Sequence, residues 1–259
     1  MSDHVLVSRE GPVKIVTLNR PDKFNALTFQ MYERLAEICT SVPDDGSVRA
    51  VVITGAGTRA FAAGTDISLF RDFSSEADGI KYEKSADDTF TAIEACPVPT
   101  IAAIAGACTG GGAGIAACCD MRIGTRDMKY GFPIARTLGN LLSAATLARL
   151  VGRLGEARVI DMIYTSRLIE AEEALRIGLV SELCDDHAAL MRRTHALSAQ
   201  IAGYAPLTLR ATKEILRRMR QAQPRIDDDD IVAKVYTSAD FREGLDAFLT
   251  KRKPNWTGR

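Results

Sequence analysis

Thr100-Ile101-Ala102-Ala103-Ile104-Ala105-Gly106-Ala107-Cys108-Thr109-Gly110-Gly111-Gly112-Ala113-Gly114-Ile115-Ala116-Ala117-Cys118-Cys119 is the stretch that decides the fold. The apolar run Thr100 to Ile104 reads as a strand buried on both faces. The glycine block, Gly106 to Gly114, then opens a helix running into Ile115-Ala116-Ala117. Successive glycines at a helix start leave backbone N–H groups unshielded, so a ligand oxygen can approach them with the helix dipole behind. A second loop of the same kind is Arg59-Ala60-Phe61-Ala62-Ala63-Gly64-Thr65-Asp66-Ile67. It follows the β-branched run Arg49-Ala50-Val51-Val52-Ile53-Thr54, which Gly55-Ala56-Gly57 stops.

Several chemistries use glycine at a helix start. A phosphate loop of the Walker type needs Gly-Lys-Ser/Thr, which is absent. Gly112-Ala113-Gly114-Ile115-Ala116-Ala117 formally fits a dinucleotide fingerprint, but the acid expected about twenty residues on has no match. Close helix–strand packing without any ligand is the remaining structural explanation.

Outward from these loops, strand-like and helix-like segments alternate. Val13 to Leu18 alternates with period two and ends at Asn19-Arg20-Pro21-Asp22. Met31, Leu35, Ile38 and Cys39 share one face of a helix that begins near Thr28. A polar stretch from Ser74 to Asp88 precedes Pro97-Val98-Pro99. Strands spaced by helices predict repeated βαβ-type units. After residue 140 the chain reads as helices: Glu170 to Ile177 closed by Gly178, then Leu207, Ala211, Ile215 and Met219 every four residues behind Pro206. Arg210, Lys213, Arg217, Arg218 and Arg220 on that helix read as a solvated face, not a nucleic-acid stripe. Asp227 to Asp230 suit a helix N-terminus better than a metal site. No internal repeat or low-complexity linker is present.

The 259 residues carry 33 Lys+Arg against 33 Asp+Glu, with 46% apolar residues. A balanced charge argues against a general nucleic-acid or membrane-surface binder, which needs a positive field. The start, Met1-Ser2-Asp3-His4, has neither a basic n-region nor an apolar h-region, and a cytoplasmic location is expected. The six cysteines (Cys39, Cys96, Cys108, Cys118, Cys119, Cys184) form no C-x-x-C pair and neighbour no histidine at ligand spacing. They read as buried reduced thiols, and no metal is expected. His4, His187 and His195 all lie away from the glycine-rich centre, which disfavours histidine catalysis there.

The chain resembles the crotonase superfamily, the enoyl-CoA hydratase/isomerase family. The likeness runs through Asn19-Arg20-Pro21, Asn25-Ala26-Leu27, Ala60 to Asp66, Gly106, Gly110-Gly111-Gly112, Cys119-Asp120, Gly178-Leu179-Val180 and Phe248 to Pro254. The resemblance implies an α/β fold: a crotonase-like spiral of βαβ-type units over residues 1–195, and a helical C-terminal trimerisation region over 196–259. It implies a homotrimer or a hexamer of two trimers. It implies that the backbone N–H groups of Thr65 and Gly111 form an oxyanion hole for an acyl-CoA thioester. Lys23, Phe24, Ala63, Thr65, Asp66 and Ile67 are the implied CoA-binding positions, joined by Phe248 and Lys251 of a neighbouring subunit. Coenzyme A enters as part of the substrate, with no separate cofactor. Two preorganised donors suit a thioester enolate, and one such donor is worth about 2.7–4 kcal/mol of barrier.

The chain departs from the hydratase pattern at the acids. One glutamate belongs two residues after the triple glycine, where Gly114 stands. The other belongs after Pro133, at Ile134, or at Ala135 if an extra residue before Gly139 shifts the register. Water addition needs a group to activate water and another to protonate Cα. Between Gly106 and Gly155 the only carboxylates are Asp120 and Asp127; an acid from elsewhere is expected first from Ser74 to Asp88. Tyr130, Arg136, Thr137 and Asn140 are polar candidates for the pocket wall. Arg136, amid Phe132-Pro133-Ile134-Ala135, could hold a carboxylate on the acyl group or make a surface ion pair. Asp66 reads first as a residue that fixes its loop. Two functions follow: an enzyme on acyl-CoA thioesters, including an isomerase, decarboxylase or hydrolase with a recruited base, or a catalytically silent acyl-CoA-binding protein. Glutamates at 114 and 134 should restore hydration if the pocket admits them.

Overall fold

In a computed structural model, which describes residues 4–222 and 226–259, the alternation becomes two sheets wound by one chain. Residues 1–3, part of the start read above, lie outside the described residues. Strands β1 (Val5–Glu10) and β2 (Val13–Leu18) form an antiparallel pair. Helix α1 (Phe29–Thr40) follows, capped by the Thr28 side chain on the Met31 N–H, and delivers the chain to β3 (Ala50–Gly55), parallel to β2. Here the winding begins. The chain leaves β3 for a short strand β4 (Ala60–Ala62) in a second sheet, then crosses by the 20-residue helix α2 (Glu76–Ala95) to β5 (Thr100–Ile104). The next turn gives β6 (Ala107–Thr109), helix α3 (Gly111–Cys118) and β7 (Met121–Thr125), and the next begins with β8 (Lys129–Gly131). Each turn thus places one long strand in the first sheet and one short strand in the second.

The helices α4 (Ile134–Thr137), α5 (Ala144–Leu154) and α6 (Glu156–Tyr164) lead to β9 (Ile169–Glu170), α7 (Ala171–Arg176) and β10 (Glu182–Cys184). Gly178 takes φ 74° after α7, the left-handed conformation that closes a helix without a Cβ penalty. The sheet orders are β1-β2-β3-β5-β7-β10 and β4-β6-β8-β9. The long strands are uniformly apolar because both faces are covered. Val51 and Ile53 point into the core shared with α1, α2 and α3, whereas Ala50 and Val52 point to α8 (His187–Ala202) through Leu190, Leu197 and Ile201. The boundary expected at 195/196 falls inside α8, which packs on the sheet.

Helices α9 (Pro206–Gln221), α10 (Asp229–Tyr236) and α11 (Ala239–Thr250) complete the helical C-terminal region. On α9 every basic residue singled out has an acid: Arg210 with Asp44, Lys213 with Asp120, Arg217 and Arg218 with Glu214, and Arg220 with Glu94. Its apolar stripe is not buried, and Leu207, Ile215 and Met219 face outward. Asp229 and Asp230 form the first turn of α10, where they complement the helix dipole. The α10–α11 pair folds back onto its own chain. Phe70, Tyr82, Tyr236 and Phe241 interlock there, with ring centroids 4.8–6.5 Å apart.

Candidate active site

The two glycine-bearing loops meet. Ala63 N–H donates to Phe24 O, Leu27 N–H to Gly64 O, and Asp66 N–H to Leu27 O, so residues 24–27 and 63–66 are zipped together. Across the gap, Gly64 (φ 104°) lies against Thr109, Gly110 and Gly111; a Cβ on it would sit 3.9 Å from the Gly111 nitrogen. Gly110 adopts φ 52°, ψ −124°, a conformation that needs glycine, and so turns β6 sharply into α3. Gly111 is the first residue of α3, where an N–H has no intrahelical acceptor. Among the described residues, no group accepts from the Thr65 or Gly111 N–H, and both residues are half-buried. Two free donors on facing loops can bind one oxygen.

The neighbouring residues expected to hold CoA gather on the same side. Lys23 and Phe24 are exposed on the turn after Pro21, with the Arg59 guanidinium 4.3 Å from the Phe24 ring centroid. Ala63 is exposed, and Ile67 is half-buried. Asn25 is buried in the left-handed region (φ 54°); its Oδ1 accepts from Arg20 N–H while Nδ2 donates to Ala56 O and Ala60 O. Asp66 fixes its loop as expected: Oδ2 accepts from Arg20 at 2.9 Å, and Oδ1 accepts from the Ser68 N–H and hydroxyl. Burial raises its pKa, yet the Ser68 and Arg20 hydrogen bonds outweigh that and hold the carboxyl below its usual value. Phe248 and Lys251 are exposed at the end of α11. Arg136 is exposed on α4 and makes no side-chain hydrogen bond or ion pair among the described residues. Tyr130 is buried beneath α3, its hydroxyl donating to Ala113 O, and Thr137 donates to Pro133 O. Asp120 accepts from Thr100 and Lys213, a structural position.

At the acid positions the chain has filled the space. A Cβ on Gly114 would sit 3.0 Å from Cε1 and Cε2 of Phe90 and closer still to Cζ. Phe90 is buried, edge-on to Tyr32, and belongs to the main core. Ile134 packs against the same core. A glutamate at 114 therefore meets the end of the Phe90 ring, which must move to admit it.

Two tyrosines beside Thr65 escaped the sequence reading, and an acid of the Ser74 to Asp88 stretch stands next to one of them. Tyr32 sits on α1 with its hydroxyl 2.9 Å from Thr65 Oγ1, and Tyr82 on α2 places its own hydroxyl 2.8 Å from the same oxygen. Burial pushes the Tyr32 phenol up to about 12 and Tyr82 well above its usual value, so both remain protonated. Glu83, next along α2, is buried; Oε1 accepts from the Tyr236 hydroxyl at 2.6 Å and Oε2 from the Ser143 N–H at 3.3 Å. Burial pushes Glu83 up to about 7, opposed by the Tyr236 hydrogen bond and assisted by the charge of Asp87. Periodicity of α2 would have put Glu83, Ala86 and Phe90 on one face, but the polar composition of Ser74 to Asp88 masked it.

A family model described as enoyl-CoA hydratase/isomerase matches residues 8–259. A short-chain-enoyl-CoA hydratase of Clostridium acetobutylicum is 32% identical, over 97% of this chain and 96% of that one. Among solved structures, an enoyl-CoA hydratase/carnithine racemase from Magnetospirillum magneticum is 34% identical with a TM-score of 0.79, covering 100% and 97% of the two chains. A methylmalonyl-CoA decarboxylase in complex with 2-nitronate-propionyl-CoA has a TM-score of 0.89 at 26% identity, covering 99% of each.

Proposed function

Since the chain belongs to the enoyl-CoA hydratase/isomerase family, we propose that it processes an acyl-CoA thioester whose carbonyl oxygen lies between the Thr65 and Gly111 N–H groups. The observation that carries this reading is the pair of free backbone donors on loops that meet. Such donors stabilise an enolate oxyanion without reorganising at the moment of reaction. Lys23, Phe24 and the Ala63 to Ile67 segment would hold the CoA. Coenzyme A arrives with the substrate.

With Gly114 and Ile134 at the acid positions, water addition is not the reaction these residues favour. A reaction that generates the enolate without removing a proton fits better, and decarboxylation of a carboxyacyl-CoA is one. There the C–C bonding electrons flow into the thioester carbonyl as carbon dioxide leaves. Only the oxyanion donors and a later proton at Cα are then required. The likeness to a methylmalonyl-CoA decarboxylase structure supports this choice. A trimeric or hexameric assembly belongs to the same reading, supported by the outward apolar stripe of α9.

Turnover of enoyl-, 3-hydroxyacyl- and dicarboxylyl-CoA esters tests the proposal. Carbon dioxide release from a dicarboxylyl ester supports decarboxylation. Faster hydration of an enoyl ester contradicts it, and no turnover with tight thioester binding supports a silent binding protein. Gly111→Pro removes one donor and should weaken thioester binding far more than binding of free CoA. An equal effect on both ligands refutes the placement.

A further inference from the structure

We infer that the Tyr32 hydroxyl is a third donor to the thioester oxyanion, oriented by Thr65 Oγ1 and Tyr82; this rests on the function proposed above. The Tyr32 hydroxyl occupies the space that a side chain on Gly111 would need, and it lies 2.9 Å from Thr65 Oγ1. It therefore touches both residues whose N–H groups are free. Among the described residues its hydroxyl bonds Thr65 Oγ1, which in turn bonds the Tyr82 hydroxyl.

Proton accounting completes the argument. A hydroxyl carries one donor proton. Tyr32, Thr65 and Tyr82 hold three, and the two hydrogen bonds centred on Thr65 Oγ1 use two. Among the described residues, none of the three has an acceptor outside the group. The third proton has no acceptor in those two bonds. A developing oxyanion is a stronger acceptor than a neutral phenol. With Tyr82 donating to Thr65 and Thr65 to Tyr32, the free proton is that of Tyr32, beside Gly111. The phenol stays protonated in this buried place, so it donates a hydrogen bond and does not ionise. Phe90 packs edge-on to the ring, and the Thr89 hydroxyl donates to the Tyr32 backbone carbonyl, tying α1 to α2.

The test uses acetyl-CoA labelled with carbon-13 at the carbonyl, bound to the wild type, Tyr32→Phe and Tyr82→Phe. Difference infrared spectroscopy reads the thioester stretch, and calorimetry reads affinity for acetyl-CoA and for free CoA. The carbonyl band should move to lower frequency on binding the wild type. Tyr32→Phe should lose part of that shift and bind acetyl-CoA about two- to tenfold more weakly, with affinity for free CoA unchanged. Tyr82→Phe should keep most of the shift, since Thr65 can still donate to Tyr32. A Tyr32→Phe band identical to the wild type overturns the inference and leaves the proposed function standing. Equal losses in both variants also overturn it, because they indicate a loop held in shape by the pair. Failure of the wild type to bind acetyl-CoA overturns the proposed function and this inference together. A structure of the unmodified protein with acetyl-CoA gives an independent reading. Its carbonyl oxygen should lie within hydrogen-bond distance of Tyr32 Oη, and contact with the two N–H groups alone overturns the inference.

Discussion

Gly114→Ala probes directly why this chain has no acid beside its triple glycine. The added methyl would overlap the Phe90 ring, and Phe90 is wedged between Tyr32 and the Arg149 guanidinium. Overpacking of this kind costs about 1–3 kcal/mol. Replacing glycine inside a helix returns about 1 kcal/mol, so the net loss should be about 0–2 kcal/mol. Phe90→Ala alone should cost about 3–5 kcal/mol through the cavity it leaves. In that background the same Gly114→Ala change meets no ring and should become stabilising by about 1 kcal/mol. The interaction energy of the cycle is then about 1–3 kcal/mol. Urea unfolding of the four proteins, at one fixed protein concentration, measures it. Gly114→Ala that is neutral or stabilising in the wild-type background, with additive double-mutant behaviour, refutes the steric argument. The functional counterpart is that Gly114→Glu with Ile134→Glu should confer hydration of crotonyl-CoA only when Phe90→Ala accompanies them.

Three further outcomes are expected. The wild type should hydrate crotonyl-CoA very slowly, since each missing acid–base group is worth about 10²–10⁴-fold; ordinary hydratase rates in a steady-state assay would show that another acid reaches the substrate. Glu83 binds its proton more tightly folded than unfolded, so its contribution to stability falls as pH rises from 4.5 to about 7. At about 1.4 kcal/mol per tenfold change in proton affinity, the cost above neutrality is about 3 kcal/mol. Glu83→Gln should therefore flatten the melting-temperature profile between pH 5 and 8, and an unchanged profile contradicts the assignment. Sedimentation should find trimers or hexamers, and a stable monomer with full CoA affinity counts against that assembly.

Strands bearing β-branched residues were legible because their apolar runs are continuous: Val13 to Leu18, Ala50 to Thr54 and Thr100 to Ile104 all fall where expected. Thr28, Gly178 and Pro206 marked helix ends through local chemistry that needs no tertiary partner. The second sheet was hidden by its shortness, because three-residue strands such as Ala60–Ala62 carry no periodicity. At the candidate site, Thr65 and Gly111 could be named as donors because the family resemblance implies them; glycine spacing alone left ligand-free packing open. Tyr32 and Tyr82 could not. They reach the site from α1 and α2 through packing, and neither helix carries a motif that points there.

The residue that covers Glu83 is built late. Tyr236 follows it by 153 residues, which at ordinary ribosomal rates is roughly 8–30 s of synthesis. Until then α2 lacks the aromatic cover that Tyr236 of the C-terminal hairpin supplies. Docking of α10 and α11 adds to the burial of Glu83, and burial is what raises its proton affinity, so near neutral pH the completion of the newborn chain takes up a fraction of a proton. Closure of the last helices is thus coupled to proton uptake, and a chain ended before Tyr236 lacks the hydroxyl that donates to Glu83.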